Sequence, residues 1–165
     1  MNVLTNGLTS GPETTSERQA EMPAGYSGTP LAKKLGIKEG HVVLALGAPA
    51  DYEELLEGLP DDVSIEKAGS AGEGDDRRYD VIHAFSKERA WLEAALPTLR
   101  GRIVWNGAIW ASWPKKASKV PTDVTEDVVR GLALQNGLVD VKVCAVDDVW
   151  SGLKLVIPVK DRLEP

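Results

Sequence analysis

Apolar residues form two kinds of pattern along the first half of the chain, and each pattern predicts a different kind of element. Residues 42–46 and 79–85 are mainly apolar runs, which are typical of parallel strands covered on both faces. The segment 51–58 lies between them and predicts a helix. Its apolar positions are spaced i, i+3, i+4 and i+7: Tyr52, Leu55, Leu56 and Leu59.

The same alternation of strands and helices continues in the second half. A short strand is predicted at 63–66 and a longer one at 107–113. The helix after residue 85 should begin at Ser86, whose hydroxyl suits a cap. Asp123 and Glu126 match the D-x-x-E capping box, which predicts that another helix opens at Asp123.

The last two predicted strands follow each other without a helix between them. Residues 138–147 alternate apolar and charged side chains, and residues 153–157 form the final strand. Strands joined by so short a turn are antiparallel neighbours. The element order therefore predicts an α/β fold, a three-layer sandwich with a mostly parallel, Rossmann-like sheet and a C-terminal antiparallel strand, similar to the sheet of methyltransferases.

Length and composition fit one domain behind a polar N-terminal segment. Residues 1–22 are rich in Gly, Ser and Thr, so we expect a disordered tail before a single α/β domain at 23–165. A formal net charge of −6 argues against nucleic acid as a partner. The longest continuous apolar run, 42–46, is too short to span a membrane. With Cys144 as the only cysteine, the composition predicts a cytoplasmic protein.

Four stretches of the chain, at 24–36, 113–118, 122–130 and 138–154, carry a resemblance to a known family. They include Ala-Gly-Tyr-Ser-Gly-Thr-Pro, the unusual Trp-Pro-Lys-Lys and Val-Asp-Asp-Val-Trp-Ser-Gly. In these stretches the chain resembles the bacterial family called domain of unknown function 3052. The resemblance implies a bacterial cytoplasmic protein, and it supplies no activity and no catalytic residue.

The turn after the first strand is the first candidate for a ligand site. In dinucleotide- or S-adenosylmethionine-binding folds this turn carries several glycines, which let backbone N–H groups approach the ligand. Here it holds one glycine, Gly47, and Pro49, which lacks a donor. Glu66 is expected to end the second strand, where an acidic ribose partner would lie. The favoured interpretation is a tight turn without a ligand, and a degenerate cofactor site is the alternative.

The segment after the strand at 107–113 is the second candidate. Ligands of open α/β sheets bind beyond the carboxyl ends of the strands, where Trp113, Lys115, Lys116 and Ser118 are expected. An indole beside ammonium groups suits a ring that carries a phosphate or carboxylate. A solvated lysine loop whose tryptophans pack in the core explains the same residues and is slightly favoured.

The turn at 147–152 is the third candidate, because Asp148 and Trp150 lie in it beside a second aspartate. Neighbouring residues of a strand point to opposite faces, so one metal would seldom meet both carboxylates. No metal site is predicted, and a turn stabilised by aspartate caps is favoured. His83, inside an apolar strand, is expected to be a core residue with satisfied hydrogen bonds.

These patterns leave two classes of function open. The favoured one is a non-enzymatic binding or regulatory domain with no cofactor and an unknown protein partner, since the chain lacks the P-loop and G-x-S-x-G motifs. The alternative is a protein that binds an anionic, nucleotide- or S-adenosylmethionine-like small molecule, or a degenerate methyltransferase-like enzyme. We also expect a homodimer through the final strand, if that strand forms an exposed sheet edge.

Overall fold

The computed structural model describes residues 29–71 and 77–162, so the tail expected at 1–22 lies outside the described residues. The helices are α1 (Leu31–Lys34), α2 (Tyr52–Leu55), α3 (Arg89–Arg100) and α4 (Glu126–Gln135), with short 3-10 turns at Lys116–Ser118 and Val159–Asp161. The strands are β1 (Val42–Leu46), β2 (Ser64–Ala68), β3 (Tyr79–Phe85), β4 (Ile103–Pro114), β5 (Val139–Ala145) and β6 (Trp150–Val156).

The strands form one sheet in the order β2-β1-β3-β4-β6-β5. The first four strands pair in parallel, whereas β6 is antiparallel to both of its neighbours. This is the mostly parallel, Rossmann-like arrangement with one antiparallel strand that the element order predicted.

Hydrophobic cores cover both faces of the sheet, which makes three layers. Leu92, Leu96 and Leu99 of α3 pack on one face together with residues of α4. Residues of α1 and α2, among them Leu31 and Tyr52, pack on the other face. The central strands read as continuous apolar runs because each of their two faces meets one of these cores.

The chain reverses direction across the sheet beside β1. It passes from β1 to β2 on one side and then crosses to β3 on the other side. The carboxyl ends of β1 and β3 therefore flank a topological switch point, where helices leave toward opposite faces and a crevice opens.

Local details of the helices depart from the capping predictions. The helix expected over 51–58 has regular geometry only at Tyr52–Leu55. Thr125 caps α4 by accepting from the Val128 amide, and Asp123 instead accepts from the amide of Arg89, at the start of α3. The D-x-x-E pattern identified a true cap residue but assigned it to the wrong helix, because a carboxylate can cap a helix that is distant in sequence.

The final strand, β6, lies inside the sheet between β4 and β5. The premise of the dimer prediction is therefore wrong, since both hydrogen-bonding sides of β6 are already paired. The edge strands are β2 and β5, and a homodimer stays a prediction.

Candidate functional site

The turn after β1 lies at the switch point and is built around Gly47. This residue is exposed and has a φ of 65°, in the left-handed region that glycine tolerates best. A Cβ at this position would lie 2.9 Å from the carbonyl oxygen of Phe85. Only glycine therefore lets the turn approach the end of β3 this closely while its other side remains open.

Glu66 does not lie where an acidic ribose partner was expected. The strand β2 continues to Ala68, so Glu66 is in mid-strand, opposite Leu44 of β1. Its carboxylate accepts from the Tyr79 hydroxyl at 2.8 Å and from the guanidinium of Arg77. These contacts explain Glu66 as a structural residue.

A chain of three buried polar side chains lies beneath the switch point. The Tyr52 hydroxyl is 3.0 Å from Nδ1 of His83, and Nε2 of His83 is 2.7 Å from Oγ of Ser112. Tyr52 and His83 are fully buried, and Ser112 is 4% exposed. The chain connects α2, which follows the Gly47 turn, with β3 and β4.

Burial fixes the protonation states in this chain. Desolvation lowers the pKa of His83 to about 3 and raises that of Tyr52 above its ordinary value, with a further contribution from the charge of Glu53. Both groups are therefore neutral at pH 7. In a neutral imidazole one nitrogen donates and the other accepts, so each of these three hydrogen-bonded side chains has a partner. The prediction that His83 is a satisfied core residue is confirmed.

Aromatic rings continue this cluster toward the carboxyl edge. The rings of His83 and Phe85 stack with centroids 4.2 Å apart. Phe85 then meets Tyr52 and Trp150 edge to face. The end of β3 is thus packed against these rings, and its last carbonyl oxygen lies 2.9 Å from the position that a Cβ of Gly47 would take.

The sequence indicated the two tryptophans of the predicted site but not their faces. Trp113 packs in the core formed with α3 and α4. Trp150 contacts the core on the opposite face. Trp150 pairs with Pro114, one residue beyond Trp113, and successive residues of a strand point to opposite sides. The structure therefore does not bring the two indoles together.

The loop after β4 is fixed by hydrogen bonds within itself and to the turn between β5 and β6. The Ser118 hydroxyl donates to the carbonyl of Lys115 at 2.7 Å, and the Lys115 amide donates to the carbonyl of Val149. Lys116 and Asp148 are exposed. Within residues 29–71 and 77–162, Lys115 and Lys116 have no carboxylate oxygen within 4.0 Å.

Asp147, the neighbour of Asp148, stabilises the adjacent turn. One carboxylate oxygen accepts from the amides of Val149 and Trp150, each at 2.8 Å. This is the aspartate cap that the sequence favoured. In the described part of the chain, no group of three His, Cys, Asp or Glu side chains is arranged to hold a metal ion.

Sequence reasoning missed the chain of Tyr52, His83 and Ser112. Its members are 31 and 29 residues apart along the sequence, and no short motif contains any two of them. The only signal was a histidine inside an apolar strand. Such a residue must find partners from other elements, but the sequence does not say which.

The fold is similar to that of solved methyltransferases. A SAM-dependent methyltransferase from Aquifex aeolicus matches with a TM-score of 0.58 and 17% identity, over 78% of this chain and 88% of that one. A precorrin-6y C5,15-methyltransferase from Geobacter metallireducens gives 0.57 and 11%, over 78% and 86%. An N-methyltransferase from Bradyrhizobium japonicum gives 0.56 and 12%, over 78% and 92%.

These comparisons correct the favoured functional interpretation. No family model and no curated protein matches the chain, so the resemblance to domain of unknown function 3052 gains no support from them. The solved structures, by contrast, are methyltransferases, and this overturns the expectation of a non-enzymatic binding or regulatory domain. None of the helices in the described ranges has the length and apolar character needed to cross a bilayer. At these identities the comparisons establish a Rossmann-like, methyltransferase-like fold.

Proposed function

We propose that the protein binds S-adenosylmethionine at the carboxyl ends of β1 and β3 and acts as a methyltransferase. The observation that carries this proposal is the exposed Gly47 turn at the switch point of the sheet, the place where open α/β folds bind their ligands. The solved methyltransferases with this fold support it. Membership of the domain of unknown function 3052 family is part of the same proposal, on the sequence resemblance alone.

The turn fits the approach of a cofactor. Gly47 is exposed, and its lack of a side chain lets the turn lie against the Phe85 carbonyl. Because the Gly47 amide already donates to the Ala68 carbonyl, the peptide groups that such a turn can offer to a charged amino-acid moiety are those after Gly47. When bound, the cofactor would supply an electrophilic methyl group on its sulfonium.

The ribose end of such a cofactor fits the described residues less well. Glu66 is already paired with Tyr79 and Arg77. The described end of β2, residues 68–71, is Ala-Gly-Ser-Ala and carries no carboxylate. We therefore assign cofactor contacts to Gly47 and give Glu66 no role in binding.

The loop after β4 is the part of the predicted site that we assign to the acceptor substrate. It begins next to the end of β3, because the Ser86 amide donates to the Ser112 carbonyl at 3.0 Å. Lys115 and Lys116 carry charges that no described carboxylate neutralises. An acceptor with an anionic group suits this loop.

Calorimetric titration of the full chain with S-adenosylmethionine and S-adenosylhomocysteine tests the cofactor step. We expect the wild type to bind both compounds, and Gly47→Ala to bind at least tenfold more weakly because its Cβ would meet the Phe85 carbonyl. The matched control is Gly58→Ala. Gly58 has a φ of 85°, and no atom lies within 4 Å of the position that its Cβ would take. It therefore carries the same backbone penalty without the close contact.

The result for the wild type decides the proposal whatever the variants do. If the folded wild type binds neither compound at millimolar concentration, the proposal is wrong. Equal affinities of Gly47→Ala and wild type, with both folded by circular dichroism, would move the site away from the Gly47 turn.

A further inference from the structure

Four lysines form a second charged surface, on the face of the sheet that packs against α1. We call Lys34, Lys38, Lys142 and Lys154 the lysine patch. Lys154 pairs across β6 and β4 with the buried Trp110, which marks the face. Lys34 lies at the end of α1, and its Nζ is 3.4 Å from the carbonyl oxygen of Ala145 in β5.

A tight loop brings α1 next to β6 at the centre of this patch. Gly36 follows α1 with a φ of 79°, and the Nζ of Lys154 lies 3.9 Å from where its Cβ would be. Lys38 is two residues further along the same loop. The patch therefore combines α1, its following loop and the two C-terminal strands.

A bulge in β5 places two lysines opposite each other. The pairing of β5 with β6 shifts register between Asp140 and Val143. As a result Val141 and Lys142 both oppose the single residue Lys154. Like charges at opposed positions of a sheet destabilise it.

The electrostatics of Lys154 agree with this placement. Partial burial lowers the pKa of its ammonium group, and the charges of Lys142 and Lys38 lower it further. The same neighbourhood includes Cys144. Burial raises the pKa of its thiol, and the charges of Lys34 and Lys142 act in the opposite direction. These groups are therefore close enough to interact.

Among the described residues, the four lysines of the patch lack a neutralising carboxylate, in contrast to Lys67 and Arg130 on other surfaces. In the parts of the chain that the structure describes, none of the four ammonium groups has a carboxylate oxygen within 4.0 Å. Lys67 pairs with Glu53, and Arg130 contacts three carboxylates. Although the protein has a net charge of −6, these four positive charges therefore have no close carboxylate in the described ranges.

We infer that the lysine patch is a binding site for a small phosphate-bearing anion with at least two negative charges. A compact multivalent anion contacts several ammonium groups at once and removes the repulsion between Lys142 and Lys154. A small anion fits better than a long polyanion, which the net negative charge of the protein would repel. The inference does not depend on the proposed methyltransferase activity.

Thermal unfolding of the full chain in pyrophosphate, with sodium chloride at the same ionic strength as reference, tests this site. A ligand that binds only the folded state raises the Tm in a saturable way. At about tenfold above its Kd we expect a rise of roughly 3 to 6 °C for a domain of this size. Lys142→Gln and Lys154→Gln should lose most of this rise.

Lys160→Gln is the matched control, because it removes the same charge from an exposed lysine outside the patch. It should keep the full rise. In chloride alone Lys154→Gln should melt no lower than the wild type, since it relieves repulsion, and this shows that the variant folds. Lys116→Gln reports any binding to the loop after β4.

The inference is overturned if the wild type shows no saturable rise in pyrophosphate. It is equally overturned if Lys142→Gln and Lys154→Gln keep the rise, or if only Lys116→Gln loses it. The titration with S-adenosylmethionine is a separate measurement, so failure of one proposal leaves the other intact.

Discussion

The two halves of the carboxyl edge are stabilised in different ways. Beneath the ends of β1 and β3, buried hydrogen bonds join Tyr52, His83 and Ser112. His83 is 31 residues from Tyr52 and 29 residues from Ser112 in the sequence. Beyond β4, most hydrogen bonds are local, such as those from Ser118 to Lys115 and from Val149 to Asp147.

Because of this difference, the part of the edge at β1 and β3 should be rigid, whereas the loop after β4 should adapt more easily. Buried polar groups are costly to leave without partners, so the β1–β3 half has one well-defined arrangement. The loop after β4 is mostly exposed and can change its side chains at low cost. A site that holds a common cofactor on one half and a variable acceptor on the other would use both properties.

The largest effect should come from His83→Ala. It removes a fully buried ring and leaves the Tyr52 and Ser112 hydroxyls without their partner, so we expect a loss of about 3 to 5 kcal/mol in the free energy of unfolding. Urea denaturation measures it. The control is His41→Ala, because His41 is half-buried and its ring accepts a local bond from the Lys38 amide. Equal losses for both histidines would contradict the comparison.

The second-largest effect should be a fall in the free energy of unfolding in acid, because His83 beneath β1 and β3 is buried in its neutral form. The folded pKa of His83 is about 3 and its unfolded value is about 6.5, so the unfolded chain takes up a proton first as the pH falls. The free energy of unfolding should therefore not change with the protonation of His83 above about pH 6.5. Below that pH it should fall, by about 2 kcal/mol between pH 7 and pH 5. The measurement is the pH dependence of urea unfolding for wild type and His83→Gln. Identical pH slopes for the two proteins would refute it.

A smaller effect is expected at the turn that Asp147 caps. Asp147→Ala removes the acceptor for the Val149 and Trp150 amides, which should cost about 1 kcal/mol. Asp147→Asn keeps an acceptor oxygen and serves as the control. A loss as large for Asn as for Ala would show that charge, and not the hydrogen bonds, stabilises this turn.

The smallest effect is expected in the lysine loop. Lys116 is exposed and has no described carboxylate partner, so Lys116→Gln should change the free energy of unfolding by less than about 0.5 kcal/mol. Chemical denaturation of the two proteins side by side measures it. A cost comparable to that of Asp147→Ala would mean that this loop is as constrained as its neighbour.

The predictability of each region follows from the range of its interactions. The Asp147 cap was expected because its donors are two and three residues away. The cap of α4 was assigned to Asp123 and is Thr125, because Asp123 accepts instead from the amide of Arg89 at the start of α3. Glu66 was placed at the end of β2, but the strand runs two residues further, and strand ends depend on the pairing partner.

By itself, the sequence determined the fold class, because apolar periodicity and the strand–helix order reflect which surfaces must be buried. It also determined that Gly47 forms a turn and that His83 belongs to the core. Only the tertiary structure decided that Trp113 and Trp150 face opposite cores, that β6 lies inside the sheet, and that Lys142 opposes Lys154. These features depend on strand order and register, which are fixed by contacts between residues far apart in the chain.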